Sequence, residues 1–73
     1  MEKSVAIELE RIDWGQIMDG LTCRAEDYER TAQYFETGHA DGCILETRDA
    51  AEARSIAAFY REIIRKIRKQ LRP

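Results

Sequence analysis

The apolar residues of this chain fall into two stripes whose spacing alternates between four and three residues. The first stripe consists of Trp14, Met18, Leu21, Ala25, Tyr28, Ala32 and Phe35. The second consists of Ala53, Ala57, Tyr60, Ile64, Ile67 and Leu71. Steps that average 3.5 residues place side chains on one helix face, where they can pack against a partner helix. The two stripes, together called the seam, therefore predict an all-α fold built on a long antiparallel helical hairpin.

The 73 residues are enough for one small domain and no more. We expect it to comprise an N-terminal arm (1–12), a first helix (13–37), a loop (38–48) and a second helix (49–72). Asp13 is suited to be the N-cap of the first helix, and Gly38 to end it in a left-handed conformation. Asp49 and Glu52 have the spacing of a capping box, which predicts that the second helix begins there.

The N-terminal arm has an alternating pattern, with Val5, Ile7 and Leu9 on one side and mostly polar residues on the other. A period of two favours a short strand or an extended segment. The alternative is an early helical turn through Ile12, because glutamate, leucine and arginine favour helices. We expect the extended form.

Charge is distributed unevenly along the chain. Residues 1–60 carry 6 basic and 13 acidic side chains, whereas residues 61–73 carry 6 basic and 1 acidic, although the whole chain has a net charge of −2. One side of the seam is charged on both helices; we call it the charged flank. It consists of Asp19, Glu26, Glu29 and Glu36 on the first helix and an arginine stripe, Arg54, Arg61, Arg65, Arg68 and Arg72, on the second.

In an antiparallel hairpin the two halves of the charged flank face each other. The expected register brings Glu36 near Arg54, Glu26 and Glu29 near Arg61, and Asp19 near Arg68. Such exposed pairs contribute only about 0.2–1 kcal/mol each, so their main effect is to select this register over others.

The other side of the seam is apolar, and we call it the apolar flank. It consists of Ile17, Tyr28, Phe35, Ile56, Phe59 and Ile63. Exposing such residues would forfeit roughly 1.5–3 kcal/mol per large side chain and leave a patch prone to association. The flank is therefore a candidate interface, to be covered by the arm, by a second copy of the chain, or by both. We expect a homodimer that forms a four-helix bundle.

Enzymatic and metal-dependent functions find little support in the sequence. His39, Asp41 and Cys43 are metal-ligand residue types in one loop, but a structural zinc site requires four ligands. Nucleophilic chemistry at a cysteine would need a base and an orienting group near the thiol, and the one histidine, His39, lies four residues from Cys43 in the same loop. Glu26, Asp27 and Glu29 lie beside the seam rather than on it, which favours solvated or paired carboxylates. We expect no catalytic residue, no cofactor and no metal, although a composite site in a dimer groove stays open.

The arginine stripe offers an alternative function, because arginines on one helix face can bind backbone phosphates. The acidic half of the charged flank and the net negative charge speak against it, since a nucleic-acid-binding domain is usually basic. A nucleic-acid-associated regulator is therefore the alternative to our preferred function. That preferred function is a small non-enzymatic protein acting in protein–protein interaction, assembly or regulation.

The cellular location is predicted from what the sequence lacks. The first residues have no basic segment followed by a long apolar one, and no apolar run approaches the roughly 20 residues of a membrane span. Cys23 would lie within a helix and Cys43 in the loop, which favours two free thiols over a disulfide. We expect a cytoplasmic protein with no membrane association.

Overall fold

The computed structural model describes residues 4–39 and 42–71, which form two α-helices joined by a loop. Helix α1 runs over Arg11–Thr37 and helix α2 over Ala50–Leu71. The helices pack against each other, and the described residues contain no strand. The all-α helical hairpin predicted from the seam is therefore confirmed. Within the described residues, neither helix is long and apolar enough to cross a membrane.

The start of α1 differs from the prediction. Its N-cap is Glu10, with an extended backbone (φ −71°, ψ 157°), and not Asp13. Asp13 lies in the first turn, where its Oδ2 accepts the Glu10 N–H at 3.2 Å. A carboxylate at this position satisfies a free N–H of the helix start from inside the helix. The arm consequently ends at Glu10, and Arg11 and Ile12 are helical.

The other helix ends follow the predicted signals. Gly38 adopts φ 77° and donates its N–H to the Tyr34 carbonyl at 2.8 Å, which closes α1 in the left-handed form that glycine favours. At the start of α2, Asp49 Oδ1 accepts the Glu52 N–H at 2.8 Å. Glu52 Oε1 accepts the N–H of Arg48 at 3.0 Å, so the capping box reaches one residue further back than its usual form.

The described part of the arm, residues 4–10, lies outside any helix or strand. Its side chains stay exposed: Val5 is 79% exposed, and Ile7 and Leu9 are also accessible to solvent. Residues 4–10 thus form neither a strand nor a helical turn, and the backbone of Glu10 is extended, the form expected for the arm. The arm therefore adds little to the core.

The core lies along the seam and consists mainly of small side chains. The buried apolar residues in the described part of the chain are Met18, Ala25, Ala32, Ala53, Ala57 and Ile64. The larger seam residues Trp14, Leu21, Tyr28, Tyr60, Ile67 and Leu71 are only half-buried. Phe35 was expected in the seam but is 44% exposed, because the facing position at this end of α2 is Ala53. Alanines let the two helices approach closely, and they leave the bulky residues at the edges of the contact.

The loop folds back onto α1 through a buried threonine. Thr31 has no solvent-exposed surface, and its hydroxyl donates to the Asp27 carbonyl at 2.8 Å. The same oxygen accepts the Leu45 N–H at 2.9 Å. From the end of α1 at Thr37, the loop therefore runs back alongside the last turns of that helix as far as Thr31 before α2 begins.

Candidate interaction surface

The charged flank forms the expected register across the hairpin. Arg61 makes a bidentate pair with Glu29, Nε to Oε2 at 3.0 Å and Nη2 to Oε1 at 2.8 Å. One end of the hairpin is joined by a further pair between Arg54 and Glu36. The earlier residue of α1, Glu29, pairs with the later residue of α2, Arg61, and Glu36 pairs with Arg54. The helices therefore pack antiparallel with the predicted alignment.

One predicted ion pair is not formed in the described part of the chain, and Arg65, for which no partner was predicted, pairs within its own helix. Asp19 and Arg68 make no ion pair within the described residues. By helix periodicity, Asp19 lies farther around α1 from the seam than Glu29 does, which places its carboxylate away from Arg68. Arg65 pairs instead within α2, where its Nε donates to Glu62 Oε2 at 3.0 Å. Arg72, the last member of the arginine stripe, lies outside the described residues.

The paired groups have shifted ionisation. Hydrogen bonding from Arg61 is the main cause that lowers the pKa of Glu29, and it outweighs the opposing effect of partial burial. The pKa of Arg61 is raised, first by the same hydrogen bond and in smaller part by the charges of Glu29 and Glu26. Hydrogen bonding from Arg65 likewise lowers the pKa of Glu62. All these groups stay charged at neutral pH.

These pairs limit what the arginine stripe can bind. Arg54, Arg61 and Arg65 each contact a carboxylate, and Arg61 donates both its Nε–H and an Nη2–H to Glu29. A phosphate would have to displace a carboxylate that already provides matched, bidentate hydrogen bonds. It would also approach the acidic side chains of α1. The charged flank is therefore suited to holding the hairpin together rather than to binding a polyanion.

The apolar flank is organised around an aromatic cluster. Tyr28 of α1 stacks on Tyr60 of α2, with ring centroids 5.9 Å apart and planes 18° from parallel. Phe59 meets Tyr60 edge to face at 6.4 Å, and the Arg24 guanidinium lies 5.3 Å from the Tyr28 ring centroid. Interaction with the Tyr60 side chain is the main cause that raises the pKa of Arg24. The cluster joins the two helices into one continuous apolar face.

The members of this flank differ in their accessibility. Phe59 is 65% exposed, Phe35 is 44% exposed and Ile17 is 40% exposed. Tyr28, Ile56 and Ile63 are half-buried. Ile17 lies eleven residues before Tyr28, about 16 Å along α1. The structure thus brings Tyr28 next to Phe59 through Tyr60, and it leaves Ile17 and Phe35 towards opposite ends of the face.

Other segments of the chain lie near both ends of the apolar flank, but the centre of this face is exposed to solvent. At the closed end of the hairpin the loop is held against Thr31 by Leu45. At the open end, Val5, Ala6 and Ile7 of the arm line a cavity of about 420 Å³ together with Trp14, Ile67, Gln70 and Leu71. Neither segment shields Phe59. The arm was one of the two candidates expected to cover the apolar flank, and it does not cover Phe59.

A second regular spacing on α2 was missed by the sequence reasoning. Ile56, Phe59 and Ile63 belong to a series with steps of four and three that is separate from the seam: Glu52, Ile56, Phe59, Ile63, Lys66 and Gln70. This spacing was visible in the sequence. Beyond the apolar residues Ile56 and Ile63, the series continues through polar residues, Glu52 on one side and Lys66 and Gln70 on the other. It indicates that α2 has a second face able to pack against another helix.

The remaining polar candidates form no metal-binding cluster in the described residues. No group of three histidine, cysteine, aspartate or glutamate side chains there could hold a metal ion, and Asp41 lies outside the described part. Cys23 and Cys43 are free, exposed thiols, as expected. Asp27 pairs with Arg30 at 2.9 Å and Glu29 with Arg61, so these carboxylates are engaged in structural contacts.

Comparison with known proteins adds no relative. No protein-family model, no curated protein and no solved structure matches this chain significantly. The candidate surface therefore has to be interpreted from its own geometry.

Proposed function

We propose that this chain is a small non-enzymatic assembly protein that acts through protein–protein interaction, and that its working form is a homodimer joined through the apolar flank. One observation carries this proposal. Met18 and Ile64 are the only large apolar side chains that are buried in the described part of the chain, whereas Phe59 is 65% exposed. Most of the large hydrophobic residues therefore lie outside the core of the single chain.

The size of the protein supports the same conclusion. Chains of this length bury a smaller fraction of their surface than larger domains do, and they often need a disulfide, a metal or a partner subunit for stability. Both cysteines are free. A second copy would cover the aromatic cluster around Phe59 and stabilise the assembly by roughly 1.5–3 kcal/mol for each large side chain that becomes fully buried. Four helices around one enlarged core form a bundle.

The proposal places the protein in the reducing cytoplasm. Cys23 and Cys43 are exposed and free, and thiols in that state persist where the cell keeps them reduced.

The test is the mass of the protein in solution. We expect light scattering at high micromolar concentration to give twice the chain mass of 8.5 kDa. Phe59→Asp should give a monomer that retains most of its helix by circular dichroism, because a carboxylate on the open face opposes association. Ala58→Asp is the matched control, since it introduces the same charge at the neighbouring exposed position on another side of α2.

Two outcomes would contradict the proposed homodimer or its interface. A wild-type protein that stays at the mass of one chain would contradict the homodimer. Equal dissociation by Phe59→Asp and Ala58→Asp would show that the apolar flank is not the interface.

A further inference from the structure

The second face of α2 is self-complementary. Phe59 lies at its centre, Glu52 lies seven residues before it, and Lys66 lies seven residues after it. Ile56 and Ile63 fill the positions between the centre and the charges. Seven residues correspond to about 10 Å along the helix, so opposite charges stand at equal distances on either side of the aromatic ring.

We infer that the occupant of the apolar flank is a second copy of this chain whose α2 packs antiparallel on the first, with the two-fold axis near Phe59. This inference rests on the proposed function and adds the geometry of its interface. In this arrangement Phe59 faces Phe59 of the partner subunit, and Ile56 faces Ile63 of the partner subunit. Each Glu52 faces Lys66 of the partner subunit. The same patch then serves both chains, as an isologous interface requires.

The charges decide between the two directions in which the helices could pair. A parallel pair would place the two copies of Glu52 together and the two copies of Lys66 together, and like charges at such positions oppose association. The antiparallel pair turns both contacts into attractions. It also aligns the two helix dipoles in opposite directions, which is favourable.

Both charged groups are available for such a contact. Lys66 is exposed and makes no ion pair within the described part of the chain. Glu52 keeps about a third of its side-chain surface exposed while it holds Arg48, whose Nη2 lies 3.2 Å from its Oε2. A carboxylate offers about four acceptor positions, so Glu52 can accept a further hydrogen bond from an ammonium group without leaving its place at the start of α2.

The test uses charge reversal with mixing. Glu52→Lys and Lys66→Glu, each studied alone, place like charges at both ends of the interface, and we expect each to weaken dimerisation about tenfold. When the two variants are mixed, every lysine of one chain faces a carboxylate of the other. We expect heterodimers to predominate over either homodimer when the mixture is separated by native mass spectrometry. The double variant, with both changes in one chain, should dimerise like the wild type.

Arg68→Glu is the matched control, because Arg68 lies two residues after Lys66 and is exposed on the opposite side of α2. It should leave the dimer unchanged and show no preference for Glu52→Lys. Glu52→Lys also removes contacts at the start of α2, so the decisive measurement is the dimerisation of Lys66→Glu alone. It should weaken if Lys66 faces a carboxylate of the partner subunit, and it should not weaken in a parallel pair, where two copies of Lys66 already face each other.

Failure of this inference is distinguishable from failure of the proposed function. A wild-type dimer that Lys66→Glu does not weaken, or whose variants pair at random, would overturn the antiparallel α2 contact and leave the assembly in place. A monomeric wild type would overturn both.

Discussion

Thr31 links helix α1 to the loop through one buried hydroxyl group. Its side chain is completely buried, and its one oxygen atom donates to the Asp27 carbonyl and accepts the Leu45 N–H. A loop N–H held away from water requires such a partner, since leaving it unsatisfied costs about 1–3 kcal/mol. The threonine thus fixes both the local helix geometry and the path of the loop.

This role gives a prediction at the residue scale. Thr31→Val keeps the shape of the side chain but removes the acceptor for Leu45, and we expect the free energy of unfolding to fall by about 1–3 kcal/mol in urea denaturation. Thr31→Ser keeps the oxygen and is the matched control, with a smaller loss from the missing methyl group. A valine variant as stable as the wild type would show that the loop does not depend on this hydrogen bond.

At the scale of the helices, the register is held mainly by charge pairing beside an alanine-rich contact. Alanines such as Ala25 and Ala57 pack closely but differ little from one another, so they distinguish poorly between neighbouring registers. The bidentate Glu29–Arg61 contact has a defined geometry and can make that distinction. Exposed pairs are worth about 0.2–1 kcal/mol each, so the effect on stability is modest.

A double-mutant cycle tests this contact. Arg61→Glu should lower the free energy of unfolding by about 1 kcal/mol at a fixed protein concentration, because it places two carboxylates together. Combining it with Glu29→Arg should recover most of the loss. Arg68→Glu is the control, since Arg68 makes no ion pair in the described residues. Strictly additive effects of the first two changes would contradict the register.

The same contact also has an expected pH dependence. The folded-state pKa of Glu29 is lowered from its ordinary value of 4.5, so the pair stabilises the fold above that pH. Its contribution is lost as the pH falls through the lowered pKa, because the unfolded chain binds the proton more readily. Glu29→Gln should therefore lose less stability than the wild type between neutral pH and strongly acidic pH. An identical acid dependence in both proteins would contradict a role for this carboxylate.

The helices illustrate which local features the sequence could predict. Apolar spacing and glycine chemistry predicted the hairpin, the register at Arg54 and Arg61, and the end of α1 at Gly38. The start of α1 was missed because a carboxylate can satisfy a helix start either as the N-cap or, like Asp13, from the first turn. Thr31 was missed because apolar periodicity does not count a hydroxyl whose partner, Leu45, lies fourteen residues away.

For the whole molecule, the sequence predicted an apolar flank but not how it is organised. The cluster of Tyr28, Tyr60 and Phe59 depends on how two helix faces meet, which one-dimensional spacing does not contain. The arm lies across a cavity from Trp14 and Leu71 at the open end of the hairpin, an arrangement that one-dimensional spacing does not contain either. The small core residues and the exposed aromatic residues have one cause. Alanines allow the helices to pack closely, and the large side chains then lie at the edges of the contact.

A protein whose core is completed by a second chain should unfold at a temperature that depends on its concentration. Each tenfold rise in concentration adds about 1.4 kcal/mol to the stability of a dimer. Two chains of this length have an unfolding entropy near 0.3 kcal/mol/K, so we expect the melting temperature to rise by about 4–5 °C for each tenfold rise.

Circular dichroism melts over two decades of protein concentration measure this directly. Phe59→Asp should melt at a lower temperature that does not change with concentration, because its unfolding involves one chain. Ala58→Asp should keep the wild-type slope. A wild-type melting temperature that is independent of concentration would mean that the small alanine-rich core is sufficient by itself, and the exposed aromatic cluster would then need another explanation.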